Sequence, residues 1–129
     1  MESFSKLKFF FIIIFLFCSK LNASEEIITY QQILENPGDL KLNLKYAKQE
    51  SEIGNYKQTI STLERLNIIY PENIEIKLYL LSILVQIDSP QQANTLINDI
   101  KLLNNLSPDD LETVLELEAE ISERNLDKL

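Results

Sequence analysis

Apolar side chains recur at helical spacing through most of the chain beyond about residue 25. In two stretches they follow the i, i+4, i+7, i+11 pattern that places side chains on one face of a helix. The first stretch carries Leu42, Tyr46, Gln49 and Ile53, in which Gln49 is the polar exception, and the second carries Ile76, Leu80, Ile83, Leu84 and Ile87. No alternating strand pattern competes, so the sequence predicts an all-α chain. The predicted helices span residues 25–35, 38–53, 56–69, 73–87, 90–104 and 108–125.

Capping residues and prolines fall where these helices would begin. Pro90 and Pro108 suit the first turn of a helix, where the missing N–H removes no hydrogen bond. The links are only a few residues long, and short links favour antiparallel pairing of consecutive helices. Residues suited to the N-cap positions are Asp39, Asn55, Asn73 and Ser107.

The chain also repeats itself with a period of 34 residues. Pro37 and Pro71 are 34 residues apart, and a capping residue follows two positions after each of them. A period of about this length with two helices is typical of a stacked repeat architecture. Further matches at this period are Tyr46 with Leu80 and Val114, Ala47 with Leu81 and Leu115, Ile53 with Ile87 and Ile121, Leu63 with Ile97, and Leu66 with Ile100.

Gly54, Tyr56 and Pro71 occur at the spacing of the turn and closing residues of the tetratricopeptide repeat (TPR) family, which the chain resembles. Ala47 and Ala93 occupy small-residue positions at which the helices would pack together. The resemblance implies a short right-handed superhelix of antiparallel helix pairs, a TPR-like α-solenoid. Its repeats would be residues 40–73 and 74–107, with flanking helices at 25–36 and 108–125. The chain departs from the pattern at three positions, with Thr59 in place of Ala and with Asp88 and Pro90 in place of Gly and Tyr.

The stretch from Asn36 to Leu84 also resembles the periplasmic repeat segment that precedes outer-membrane β-barrels, as in the surface lipoprotein assembly modulators. This resemblance implies an exported scaffold of the cell envelope that binds a peptide or protein partner. As an alternative, the chain would be an accessory part, or a truncated remnant, of a β-barrel transport or secretion system.

The first residues have the pattern of a signal peptide over positions 1–23. Lysines precede an apolar run, Phe9–Cys18, which is shorter than the roughly 20 residues of a membrane-spanning helix. Ala23 followed by Ser24 fits a cleavage site, so residues 24–129 would form the mature protein in the periplasm. An uncleaved membrane anchor and a lipoprotein modified at Cys18 are the alternatives, although Phe17 is too large for a lipidation motif.

The composition argues against catalysis and against nucleic-acid binding. The chain contains no histidine, its one cysteine is Cys18, and its two glycines are Gly38 and Gly54. An imidazole base, a thiolate centre and a glycine-rich phosphate loop are therefore excluded, and we expect no enzyme activity, no cofactor and no metal. The net charge of −8 repels nucleic acid. The acids concentrated after Ser107 are interpreted as a solvated cap, or alternatively as a face for a basic partner.

The candidate binding groove is the concave face, which the first helix of each repeat would line. Lys41, Lys45 and Lys48 are a basic cluster there, so we expect a groove that is basic at one end and apolar in the middle. The alternative is that the lysines balance neighbouring acids and the leucines pack on the adjacent helix. A short array is also expected to pair with itself or with another envelope protein. The predicted groove residues are Lys41, Leu44, Lys48, Glu75, Leu78 and Ser82.

Overall fold

A computed structural model describes residues 26–128, which form six α-helices and no β-strand. The prediction of an all-α chain is confirmed for this range. The predicted leader, with its cleavage site at Ala23 and Ser24, lies outside the described residues, as does residue 129. The helices are α1 (Tyr30–Glu35), α2 (Leu40–Glu52), α3 (Tyr56–Ile69), α4 (Ile74–Gln86), α5 (Pro90–Lys101) and α6 (Pro108–Leu126).

Several of these helices start with an N-cap side chain at the predicted position. Asp39 accepts a hydrogen bond from the Leu42 amide at 2.9 Å, and Asn73 accepts one from the Ile76 amide at 3.1 Å. Ser107 forms a capping box with Asp110 at the start of α6. The first helix was predicted to start at residue 25, which was wrong: residues 26–29 are not helical and α1 begins at Tyr30.

Two identical turns, 34 residues apart, end α2 and α4. The amide of Gly54 donates to the Ser51 carbonyl and the amide of Asn55 donates to the Glu50 carbonyl, which is the Schellman arrangement. The amides of Asp88 and Ser89 make the same two bonds at the end of α4. This turn needs a left-handed residue, and φ is +78° at Gly54 and +59° at Asp88. Asp88 therefore adopts the left-handed backbone conformation that Gly54 adopts at the equivalent turn.

Hydrogen bonds between neighbouring helices show that they run antiparallel. Between α2 and α3, the Thr59 hydroxyl donates to the Ala47 carbonyl near one end of the pair. The Tyr70 hydroxyl donates to the Gly38 carbonyl at the other end. Between α3 and α4, Lys77 binds Asn67 at one end of the pair, and Gln86 donates to the Tyr56 hydroxyl at the other. The short links therefore produce the antiparallel pairing expected of them.

The repeat-defining residues lie in the hairpins and in the core. Ala47 and Ala93 are fully buried, so the helices pack closely at both alanines. Tyr56 is half-buried at the first turn of α3, next to Gly54. Pro71 is exposed and follows the last residues of α3. The main core runs from α2 to α6 and includes Ala47, Leu63, Leu80, Leu81, Leu84, Ala93, Ile97, Ile100, Val114 and Ile121.

The apolar stripe of α2 ends earlier than its sequence pattern predicts. Ile53 was placed in the buried stripe, which is wrong, since its side chain is 72% exposed. The reason is the turn that begins there: Ile53 is the C-cap residue, and Gly54 takes the chain away from the helix axis. Ile87 has the same place at the end of α4 and is also exposed.

The buried side chain of Asn43 links the α1–α2 turn to α2 and α3. The carboxamide of Asn43 donates to the Asn36 carbonyl at 2.9 Å and to the Asp39 carbonyl at 2.7 Å. Its oxygen accepts a hydrogen bond from the Arg65 guanidinium of α3 at 2.5 Å. Asn43 thereby holds the α1–α2 turn, α2 and α3 in one arrangement, which positions the groove face of α2.

Candidate binding groove

An open groove of about 660 Å³ lies between α2 and α4. Its α2 wall carries lysines spaced by three or four residues, so their side chains share one helical face. Leu44 and Tyr79 also line it, and both pack against the main core, so the base of the groove is apolar. The lining residues are Lys41, Leu44, Lys45, Lys48, Ser51, Glu52, Glu75 and Tyr79.

The structure brings together some of the predicted groove residues. Lys41, Leu44, Lys48 and Glu75 line the groove. Leu78 and Ser82 are not among its lining residues. Leu78 packs against the main core, and the Ser82 hydroxyl donates to the Tyr79 carbonyl of its own helix at 2.7 Å.

Tyr79 is a groove residue that the sequence interpretation missed. Its hydroxyl lies 2.9 Å from the Ser51 hydroxyl, and this hydrogen bond joins α4 to α2 across the groove. The signal was available, because Tyr79 follows Glu75 by four residues and so lies on the same helical face. The sequence interpretation instead chose Leu78, one residue earlier, which is rotated by about 100° around the helix.

The α2 wall is the electropositive side of the groove. Lys48 lies 3.9 Å from Glu52, and both side chains are largely exposed, so this pair contributes little to stability. Lys41 and Lys45 form no ion pair with any other described residue. Glu75 on α4 gives the opposite wall a negative charge. The groove therefore offers cationic groups along α2 and apolar surface at Leu44 and Tyr79.

A second, smaller cavity of about 250 Å³ lies on the other flank of the same lysines. Lys45, Lys48 and Gln49 line it together with Glu26 and Ile27. The Gln49 carboxamide accepts a hydrogen bond from the Ile28 amide and donates one to the Ile28 carbonyl, each at 2.9 Å. Gln49, the polar residue in the apolar stripe, thus binds the backbone of Ile28 to α2.

Within residues 26–128, two titratable groups have clearly shifted pKa values, and neither lines the groove. Burial raises the pKa of the Tyr46 hydroxyl, and the neighbouring Glu50 and Tyr30 raise it further, whereas Arg65 acts in the opposite direction. The hydrogen bond from Lys128 lowers the pKa of the Asp88 carboxyl. Tyr46 is a core residue and Asp88 is a turn residue, so the two shifts arise from packing and from ion pairing.

Residues 26–128 contain no group of three or more Asp, Glu, His or Cys side chains that could hold a metal ion. Among the helices of this range, none combines the length and the apolar character that a membrane crossing requires.

Comparison of the chain with models of protein families, with curated proteins and with solved structures finds no match. Residues 26–128 form an all-α fold of antiparallel helices with an open groove between α2 and α4.

Proposed function

We propose that the protein is a short TPR-like scaffold that binds a peptide or protein segment in the groove between α2 and α4 without a catalytic step. The groove itself carries this proposal, because it combines an apolar base with a lysine wall in a space of about 660 Å³. A groove of this kind holds a ligand by shape and charge. The ligand chemistry that fits is an extended segment in which acidic residues flank an apolar one.

The same proposal includes the arrangement of the helices, a right-handed superhelix of 34-residue repeats. Three observations support it: the antiparallel pairing of neighbours, the identical turns at Gly54 and Asp88, and the burial of Ala47 and Leu81 at equivalent positions. In such an array each repeat stacks only on its neighbours, and the stacked first helices form one continuous binding face.

Replacing Lys41 by glutamate is expected to weaken binding of a peptide of alternating glutamate and leucine by about fivefold or more, because an attraction becomes a repulsion. The fold should be unchanged, since Lys41 is exposed. Fluorescence anisotropy with a labelled ten-residue peptide measures the affinity.

The matched control for that measurement is Lys57→Glu. Lys57 is an exposed lysine on α3, and it does not line the groove. The control changes the net charge of the protein by the same amount as Lys41→Glu. Equal losses of affinity in the two variants would show that net charge alone attracts the peptide, and the groove proposal would then fail.

We also propose that the protein acts in the cell envelope after cleavage of the leader between Ala23 and Ser24. Intact-mass spectrometry of the protein recovered from an envelope fraction is expected to give a chain that starts at Ser24. A chain that starts at Met1 would instead indicate a membrane tether, and a lipid-modified chain that starts at Cys18 would indicate a lipoprotein. Either of these results would contradict a soluble periplasmic scaffold.

A further inference from the structure

Residues 26–35 pack on α2 through a small apolar core of their own. Ile28 and Ile33 are buried there against Tyr46, and Leu42 is partly buried beside them. This core is separate from the main core, which contains none of these four side chains. We call residues 26–35 the arm.

One side chain makes the hydrogen bonds that join the arm to α2 in the described range. The Gln49 carboxamide accepts a hydrogen bond from the Ile28 amide and donates one to the Ile28 carbonyl. Thr29, the next residue, has extended backbone dihedrals. Because both bonds go to backbone atoms, the carboxamide binds extended backbone of any sequence, and selectivity comes from the apolar contacts around Ile28. We call the surface of α2 formed by Leu42, Tyr46 and Gln49 the seat.

Much of the arm is exposed to solvent. Ile27 is 76% exposed, and Tyr30 and Leu34 are exposed as well. Helix α1 has only six residues, and a helix of that length is not stable in water without packing partners. The structure of the arm therefore depends on its contacts with the seat.

The turn that follows the arm is held by other residues. Asn43 donates to the Asn36 carbonyl, and the Tyr70 hydroxyl of α3 donates to the Gly38 carbonyl. Neither bond involves a residue of the arm or of the seat. The arm can therefore leave the seat while the turn stays fixed to α2 and α3.

We propose that the seat is a second peptide-binding site, which the arm occupies as an internal ligand. The arm opens without unfolding the rest of the protein, and a segment of a partner protein then takes its place. The segment that fits is extended, with a branched aliphatic side chain at the position of Ile28 and a backbone that pairs with Gln49. This site is independent of the proposed function, because none of the three seat residues lines the groove between α2 and α4.

The tether of the arm determines which occupants can compete with it. The arm lies next to the seat at a high effective concentration, so the affinity measured for an outside segment is lowered by the fraction of molecules with a closed arm. The arm of a second copy is disfavoured, since exchange of arms creates the same contacts and adds the entropic cost of association. Weakening the arm should raise the affinity for an outside segment while the seat stays unchanged.

Peptide binding by the full chain tests the proposal. The probe is a labelled peptide with the sequence of residues 26–35, and fluorescence anisotropy measures its affinity. Ile28→Ser removes the buried side chain from the arm and should bind the probe about tenfold more tightly than wild type, or better. The matched control, Ile27→Ser, changes the exposed neighbouring isoleucine and should bind the probe like wild type. A probe with serine at the position of Ile28 should bind the Ile28→Ser protein about tenfold more weakly.

Hydrogen exchange of the same variants measures whether the arm opens on its own. Ile28→Ser should speed exchange of the α1 amides by about tenfold and leave the amides of Leu81 and Ile97, in the main core, within about twofold of wild type. Equal acceleration in α1 and in the main core overturns the proposal, because the arm would then not be a separate unit. Equal probe affinities of Ile28→Ser and Ile27→Ser also overturn it, as does the absence of saturable binding to Ile28→Ser at millimolar probe. Wild-type dimers that Ile28→Ser abolishes would assign the seat to the arm of a second copy and overturn it as well.

Discussion

Replacing Ala47 by arginine is expected to abolish cooperative folding. Ala47 is fully buried, and the Thr59 hydroxyl of α3 reaches its carbonyl at 3.3 Å, so the two helices leave no room for a longer side chain. An arginine here would overpack the contact and bury a charge without a partner. Together these effects exceed about 4 kcal/mol, a large part of the roughly 5–15 kcal/mol that stabilises a small domain. Thermal unfolding followed by circular dichroism measures the loss.

The chain offers a matched control in Ala119, an exposed alanine of α6. Ala119→Arg adds the same side chain to a helix at a position facing solvent, so its unfolding midpoint should stay within a few degrees of wild type. An Ala47→Arg protein as stable as the Ala119→Arg protein would show that α2 and α3 do not pack through Ala47.

Replacing Asn43 by alanine is expected to lower the free energy of unfolding by roughly 2–4 kcal/mol. The substitution removes the donors to the Asn36 and Asp39 carbonyls and the acceptor that Arg65 uses. Arg65 would then hold its charge in a half-buried place without that partner. The unfolding midpoint should fall by roughly 10 °C or more.

Asn98→Ala is the control for this substitution. Asn98 is an exposed asparagine of α5, and alanine improves helix propensity at both positions. We expect the control to unfold at or slightly above the wild-type midpoint. If both variants unfold at the same midpoint, then the hydrogen bonds of Asn43 to the α1–α2 turn and to α3 do not stabilise the fold.

Sequence periodicity predicted the helices well, because helix formation depends on nearby residues. Caps such as Asp39 and Ser107 act through hydrogen bonds three residues away, so their effect can be predicted from local sequence. Asn55 shows the limit of this reasoning. It precedes α3 as predicted, but its carboxamide binds Glu50 instead of capping the helix. A competing partner on another helix is visible only after the chain has folded.

The candidate groove was predictable in part, because side chains that share a helical face can be identified from their spacing. The lysines of α2 share a face by spacing alone, and that face can be assigned from the sequence. The face of Tyr79 could be assigned by the same spacing, but its hydrogen bond to Ser51, 28 residues away, could not. The bond between Gln49 and Ile28, 21 residues apart, could not be predicted from spacing either. Gln49 is an irregularity in the apolar stripe, yet in the fold it holds the backbone of Ile28.

An NMR titration of the isotope-labelled protein with the glutamate–leucine peptide tests the central claim most directly. The proposed groove predicts that backbone shifts concentrate at Lys41, Leu44, Lys48 and Tyr79 and saturate with peptide concentration. Signals of the matched position Lys57 should not move. Shifts spread evenly over the surface, or no saturating shifts at millimolar peptide, would contradict a binding groove between α2 and α4.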